Sequence, residues 1–132
     1  MKKVFSLCVV VCFACLCFSC GSSGRGGTPT EVVQSFYQAL GAEDYETAVG
    51  CMFFEEEGDR AMMLEMLKGF IGPQMKKLGG LTPSNFSEKP AKNEGEIEVV
   101  FDLTDGRGKT KPDHAVCLRD ADGNWRLRPI NN

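Results

Sequence analysis

TPTEVVQSFYQALGAEDYETAV, residues 28–49, is the stretch from which the fold is read. Thr28 is placed to cap a helix, Pro29 takes the first helical position, and Glu31 completes a capping box. Val32, Val33, Phe36, Tyr37 and Leu40 then recur at helical spacing and make one broad apolar stripe. Gly41 is the expected stop. Asp44 caps a second, short helix whose inner face is Tyr45, Ala48, Val49 and Met52.

Outward from this stretch, Glu55-Glu56-Glu57 suits the positive end of a third helix. That helix carries Met62, Met63, Met66, Leu67, Phe70 and Ile71. Methionines at such spacing could line an adaptable groove, but core packing is the preferred reading. Gly72-Pro73 kinks or ends the helix, and Met75 and Leu78 carry the stripe on to Gly79-Gly80. From Leu81 the period changes to two. Residues 83–89 read as a strand around Phe86. Gly95 to Thr104 is the strongest one, with Ile97, Val99, Phe101 and Leu103 on one face and Glu96, Glu98 and Asp102 on a solvated face. His114 to Asp120 and Asn124 to Ile130 close the meander around Asp122-Gly123. Helices followed by antiparallel strands give an α+β class, with N-terminal helices packed on a curved antiparallel sheet.

The N-terminus reads as an address. Met1-Lys2-Lys3 is basic, Val4 to Ser19 carries no charge, and Cys20-Gly21 follows. A basic start, an apolar run and small residues at the exit make a secretory signal peptide over residues 1–19. Gly21-Ser22-Ser23-Gly24-Arg25-Gly26-Gly27 is a flexible tether, so residues 20–27 link the signal to a single domain over 28–132. The exit resembles the lipobox of bacterial lipoproteins, with Ser19 at the small position, Cys20 at the lipidated one, and Cys17 where Leu is usual. The resemblance implies acylation of Cys20, by palmitate or a similar chain, and a membrane partner held through that anchor. It further implies a cell-envelope location on the periplasmic side of the outer membrane. Cys12-x-x-Cys15 and Cys17-x-x-Cys20 mimic a zinc or redox signature, but lying in an apolar signal they are not read as a metal site.

Removing the signal leaves Cys51 and Cys117 beyond Cys20. With Asp122-Gly123 as a two-residue turn, Leu118 opposes Leu127 and Arg119 opposes Arg126. Val116, Leu118, Trp125 and Leu127 then share the core face, and Cys117 lies beside Arg128 on the other. An oxidising envelope allows a Cys51–Cys117 disulfide, yet this register disfavours it.

The opening helices and the ending AVCLRDADGNWRL are similar to small bacterial lipoproteins of the nuclear-transport-factor-2-like superfamily. The particular likeness is to a domain family of unknown function abundant in Bacteroidetes. The residues that carry it are Val33, Phe36, Tyr37, Asp44, Tyr45, Leu118, Asp122, Gly123 and Trp125. The likeness implies a cone-shaped roll, often with an open cavity, on a fold that serves isomerases, dehydratases, polyketide cyclases and non-catalytic binding modules alike. Fold alone fixes no function.

The whole chain has 132 residues, net charge −3, 25% charged and 42% hydrophobic residues, an ordinary globular composition for one domain. A pI near 5.2 gives no electrostatic case for nucleic acid. No catalytic, cofactor or metal motif stands out. The lone His114 follows Asp113, but neighbouring strand residues face opposite ways, so the two make a poor dyad. Asp120-x-Asp122-Gly123-Asn124 lacks the glycine and acid spacing of a calcium loop and reads as a hairpin turn. Arg119, Arg126 and Arg128, with Lys109 and Lys111, could form a basic stripe, with a solvated face the preferred reading. The expectation is a non-enzymatic, membrane-tethered domain that binds a small ligand or an envelope protein. Alternatives are an isomerase- or cyclase-like enzyme in the roll cavity, and a structural protein forming a homodimer through the sheet.

Overall fold

A computed structural model describes residues 27–129. The signal segment, Cys20, most of the tether and Ile130 lie outside the described residues. The first helix, α1, spans Pro29–Gly41, and Thr28 Oγ1 accepts the Glu31 amide at 3.1 Å, as its cap position requires. The helix runs through Gly41 to a cap at Ala42, and the left-handed residue that ends it is Glu43. Gly41 is therefore not the stop: Glu43 turns the chain so that the Asp44 amide reaches Ala39 O at 2.9 Å. Asp44 then caps α2 (Tyr45–Gly50), accepting from the amide and hydroxyl of Thr47.

The third helix, α3, spans Glu57–Met66 and continues through a π turn, Leu67–Ile71, into α4, Gly72–Lys77. Pro73 offers no N–H to Gly69 O, and the wider turn absorbs that loss without ending the helix. Gly72 is the small residue the bend needs, because a β-carbon there would lie 2.3 Å from the Tyr45 hydroxyl. The expectation that the methionine stripe is core holds for one half of it, with Met63 and Ile71 packed on the core, and fails for the other. Leu67 and Met75 are buried, whereas Met62 and Phe70 are more than 60% exposed and Met66 is exposed as well.

Four antiparallel strands follow in sequence order: β1 Leu81–Pro90, β2 Ile97–Asp105, β3 Thr110–Arg119 and β4 Trp125–Leu127. β1 is longer than the periodicity suggests because both prolines join it at its free edge, where a missing N–H is harmless. A bulge between Ser84 and Ser87, with Asn85 at φ 54°, turns Phe86 inward against Phe101. Val99 and Phe101 are buried as their alternation predicts. Glu96 departs from that pattern. It is buried, and Arg128 Nη1 donates to its Oε2 at 2.9 Å while Asn93 donates to both carboxylate oxygens.

The last hairpin corrects the expected register. Cys117 pairs with Leu127, Leu118 with Arg126 and Arg119 with Trp125. The connection is one residue longer than a two-residue turn. Gly123 N donates to Asp120 O, Gly123 adopts φ 82°, and Asp120 N donates to Asn124 O. This is a turn followed by a left-handed bulge, and the added residue moves every side chain of β3 to the other face relative to β4. The core face therefore carries Cys117, which has no solvent exposure, and not Leu118.

After α2 the chain runs beside β4, where Leu127 N donates to Cys51 O and Phe53 N to Leu127 O, both at 2.7 Å. This segment covers a sheet edge and puts Cys51 on the far side of β4 from Cys117. Two strand spacings amount to roughly 9–10 Å, beyond the ~7 Å that a disulfide spans. The bridge is thus disfavoured by distance, and the opposite-face reason does not hold. Both cysteines belong to one apolar cluster with Val32, Val33, Val99, Phe101 and Leu127. The register is checked by two single variants. Cys117→Asp should cost about 3 kcal/mol or more, as a charge unpaired in the core. Leu118→Asp should cost about 1 kcal/mol or less, both read from urea unfolding.

Candidate functional site

The inner face of the sheet is filled, not hollow. Tyr37 meets Phe101 edge-on at 5.8 Å and Phe36 at 5.4 Å, and Phe86 lies 5.8 Å from Phe101 on the other side. These rings close the centre of the roll, so the space that remains lies at its ends.

At one end, α4 meets the β2–β3 loop. Gly106 N donates to Leu78 O at 2.8 Å, and the two backbones approach so closely that a β-carbon on Gly106 would lie 2.7 Å from Gly79 Cα. Gly79 has φ 77°, which a side chain would strain. This glycine contact fixes a cleft of about 480 Å³. Its apolar wall is Leu78, Leu81 and Leu103, and Arg107, Lys109 and Lys111 bring positive charge to it. Two carboxylates join them. Asp105 Oδ1 accepts the amides of Arg107 (2.9 Å) and Lys109 (3.0 Å), and these bonds, the Lys109 one foremost, hold its carboxyl below its ordinary pKa. Asp105 is therefore spent on shaping the loop.

Asp113 is the more informative carboxylate. It pairs with Phe101 across β2 and β3, so it shares the inner face, and it is half-buried against the cleft. His114 pairs with Val100 and is exposed on the outer face. The two do not form a dyad, as expected from alternation, and their link is the His114 amide donating to Asp113 Oδ1 at 2.8 Å. The inner group that feels Asp113 is Tyr37. Burial pushes the Tyr37 hydroxyl up to about 12, and the Asp113 charge adds to it. Tyr37 thus stays a neutral hydrogen-bonding phenol at physiological pH.

A second concavity, about 370 Å³, lies at the other end, where Phe53, Phe54, Met62, Met63, Met66 and Leu118 meet Glu55 and Asp59. The expected basic stripe is divided. Arg126 donates to Asp120 Oδ2 at 2.9 Å and to Gly50 O, Arg128 is bound to Glu96, and Arg119 lies over the Trp125 ring at 4.8 Å. The Asp120-Asp122-Gly123 loop is a hairpin turn whose Asp120 carboxylate is taken by the Asp122 and Asn124 amides and by Arg126. No group of three or more His, Cys, Asp or Glu side chains suited to a metal ion occurs among the described residues. Among them, too, no helix is long and apolar enough to cross a membrane.

Sequence reasoning missed the cleft because its wall comes from three separate segments. The signal available was the parity of the β2–β3 hairpin. Pairing Thr104 with Thr110 brings Asp113 inward, and the loop Asp105-Gly106-Arg107-Gly108-Lys109 gave no register by itself. Tyr37 and Cys117 also set an alkaline limit. Both protonated forms are favoured by folding, since burial pushes the Cys117 thiol to about 12 as well. Their contributions are complete below the unfolded pKa values and are lost as pH rises from about 9 towards 12. Unfolding midpoints should fall across that window, and Cys117→Ala should flatten its lower part, as followed by denaturant titration at stepped pH.

No known protein family matches the chain, and no curated protein matches it in sequence. Solved structures do match in shape. One is a Campylobacter jejuni protein named as an NTF2-like transpeptidase, with TM-score 0.58 and 9% identity over 79% of this chain and 100% of that one. A Xanthomonas campestris protein named as a polyketide cyclase matches with TM-score 0.44 and 13% identity, covering 77% of this chain and 90% of that one. A Pseudomonas putida protein of the same name has TM-score 0.45 and 15% identity, covering 81% and 93%. The first establishes an NTF2-like α+β roll; scores below one half carry no argument, and none of the three transfers an activity.

Proposed function

We propose that the domain is a non-enzymatic binding module, tethered to the cell envelope through acylated Cys20, that holds a small amphipathic anion in the cleft at the open end of the roll. The observation that carries the binding reading is the lining of that cleft. Leu78, Leu81 and Leu103 offer an apolar wall, and Arg107, Lys109 and Lys111 stand at it with no ion pair to a neighbouring acid among the salt bridges of the described residues. An apolar body with a carboxylate or sulfonate head fits this pattern. Asp105 offsets part of the rim, since the charges of Arg107 and Lys109 act on its carboxylate, but three cations stand there against the two carboxylates of Asp105 and Asp113. Asp113 lines the inner side and would select a ligand with a hydrogen-bond donor there.

The binding test is titration with an anionic naphthalene-sulfonate dye followed by displacement with apolar carboxylates. Lys109→Glu with Lys111→Glu should weaken dye binding by about tenfold or more, leaving the unfolding midpoint within experimental error. Equal binding by the variant would remove the proposed site. The tether is tested separately by labelling cells with a radioactive fatty acid. Cys20→Ala should lose the label, and undiminished label would refute the anchor.

The inward Asp113 beside Tyr37 supports a second reading, an enzyme that moves a proton on a bound enolisable ligand. Deuterium exchange into a ketone bound in the cleft, abolished in Asp113→Asn, would favour it over the binding module.

A further inference from the structure

The third helix leaves an apolar row that nothing in the described fold covers. α3 has ten residues and buries none of them. Its inner side is packed, with Met63 and Leu64 set against the cluster of Ala39, Leu40, Ala48, Val49 and Leu67, and its outer side is bare. Met62 and Met66, with Phe70 in the π turn, form that row at intervals of four, with exposures of 64%, 45% and 61%. Beside its first half lies the methionine groove of about 370 Å³.

The charges around the row have an order. Glu55, Glu56, Glu57 and Asp59, with Arg60 beside them, stand at its N-terminal end, and Lys77 and Lys76, the latter also paired with Glu43 at 2.8 Å, at its C-terminal end. A half-turn about an axis through Met66, perpendicular to the helix, exchanges Met62 with Phe70 and the acidic end with the basic end. The surface is therefore its own complement, which is what an isologous interface demands. The two helices would lie antiparallel, an arrangement that also sets their dipoles head to tail. Gly69 has open space where a side chain would stand, so the backbones can approach.

We propose that this face is a homodimer interface. Its occupant is a second copy of the chain, antiparallel, with Met66 on the two-fold axis and each Phe70 seated in the partner's methionine groove. An anionic lipid surface is a poorer occupant, because four carboxylates stand at one end of the row. The interface is distinct from a sheet-mediated dimer and independent of the cleft.

Sedimentation equilibrium of the full-length chain in non-ionic detergent tests it, from micromolar concentration upwards. The expected result is a monomer–dimer equilibrium. Met66→Lys should weaken it about tenfold or more, as should Lys76→Glu with Lys77→Glu. Adding Glu55→Lys and Asp59→Lys to the latter pair should restore association, a rescue that a merely damaged fold would not give. Under mild oxidation Met66→Cys should crosslink to its own copy, whereas Leu78→Cys should not. All of these positions are exposed, and an unchanged far-UV spectrum confirms folding. A monomer at every concentration, a dimer indifferent to Met66→Lys, failure of the charge-swap rescue, or capture by anionic vesicles instead would each overturn the proposal.

Discussion

Everything in this molecule hangs on α1 lying in the bend of the sheet. Val32 and Val33 on the helix meet Val99, Phe101, Cys117 and Leu127 from three strands, and all six are essentially removed from solvent. Burial of side chains of this size contributes about 1.5–3 kcal/mol each, and this contact joins the first helix to three strands at once. The helix start is tied to the sheet as well. Glu88 accepts from the Thr30 amide and hydroxyl, and the Cys117 thiol points at Pro29 O. A capped N-terminus and a buried cysteine are thus parts of one joint.

With that joint in place, the loops decide what the rest of the sheet presents. The bulge at Gly123 sends Cys117 inward and Leu118 to the methionine groove. The β2–β3 pairing sends Asp113 inward and His114 out. Glu96, buried against the alternation of the strand that follows it, has its carboxylate oxygens taken by Arg128 and Asn93. A buried carboxylate without such partners would be expensive.

Outside the packed aromatic centre lie two unlike surfaces. The cleft beside Gly79 and Gly106 is apolar within and basic at the rim, and suits a small anion. The groove beside α3 is soft, sulfur-rich and acidic at one end, and suits a protein surface whose charges are reversed. Neither uses the exposed histidine, and neither depends on the other.

The sequence alone determined the local structure: Thr28 and Asp44 as caps, the α1 stripe, the alternation from Ile97 to Leu103 and the α+β order. Each follows from steric and hydrogen-bonding preferences that act over a few residues, so each is visible in a short window. Faces were another matter. Whether Cys117 or Leu118 enters the core turns on one residue in a loop, and Asp120-Ala121-Asp122-Gly123-Asn124 accommodates either turn length. The methionine stripe had the right period for burial, but period says only which side chains align, not whether another layer lies over them. Only the tertiary structure decided that Leu67 is covered and Met62, Met66 and Phe70 are not, because the first two helices present Ala39, Leu40, Ala48 and Val49 to one side of this helix alone. The cleft is of the same kind, assembled from three distant segments whose meeting depends on two glycines having no side chains to keep them apart.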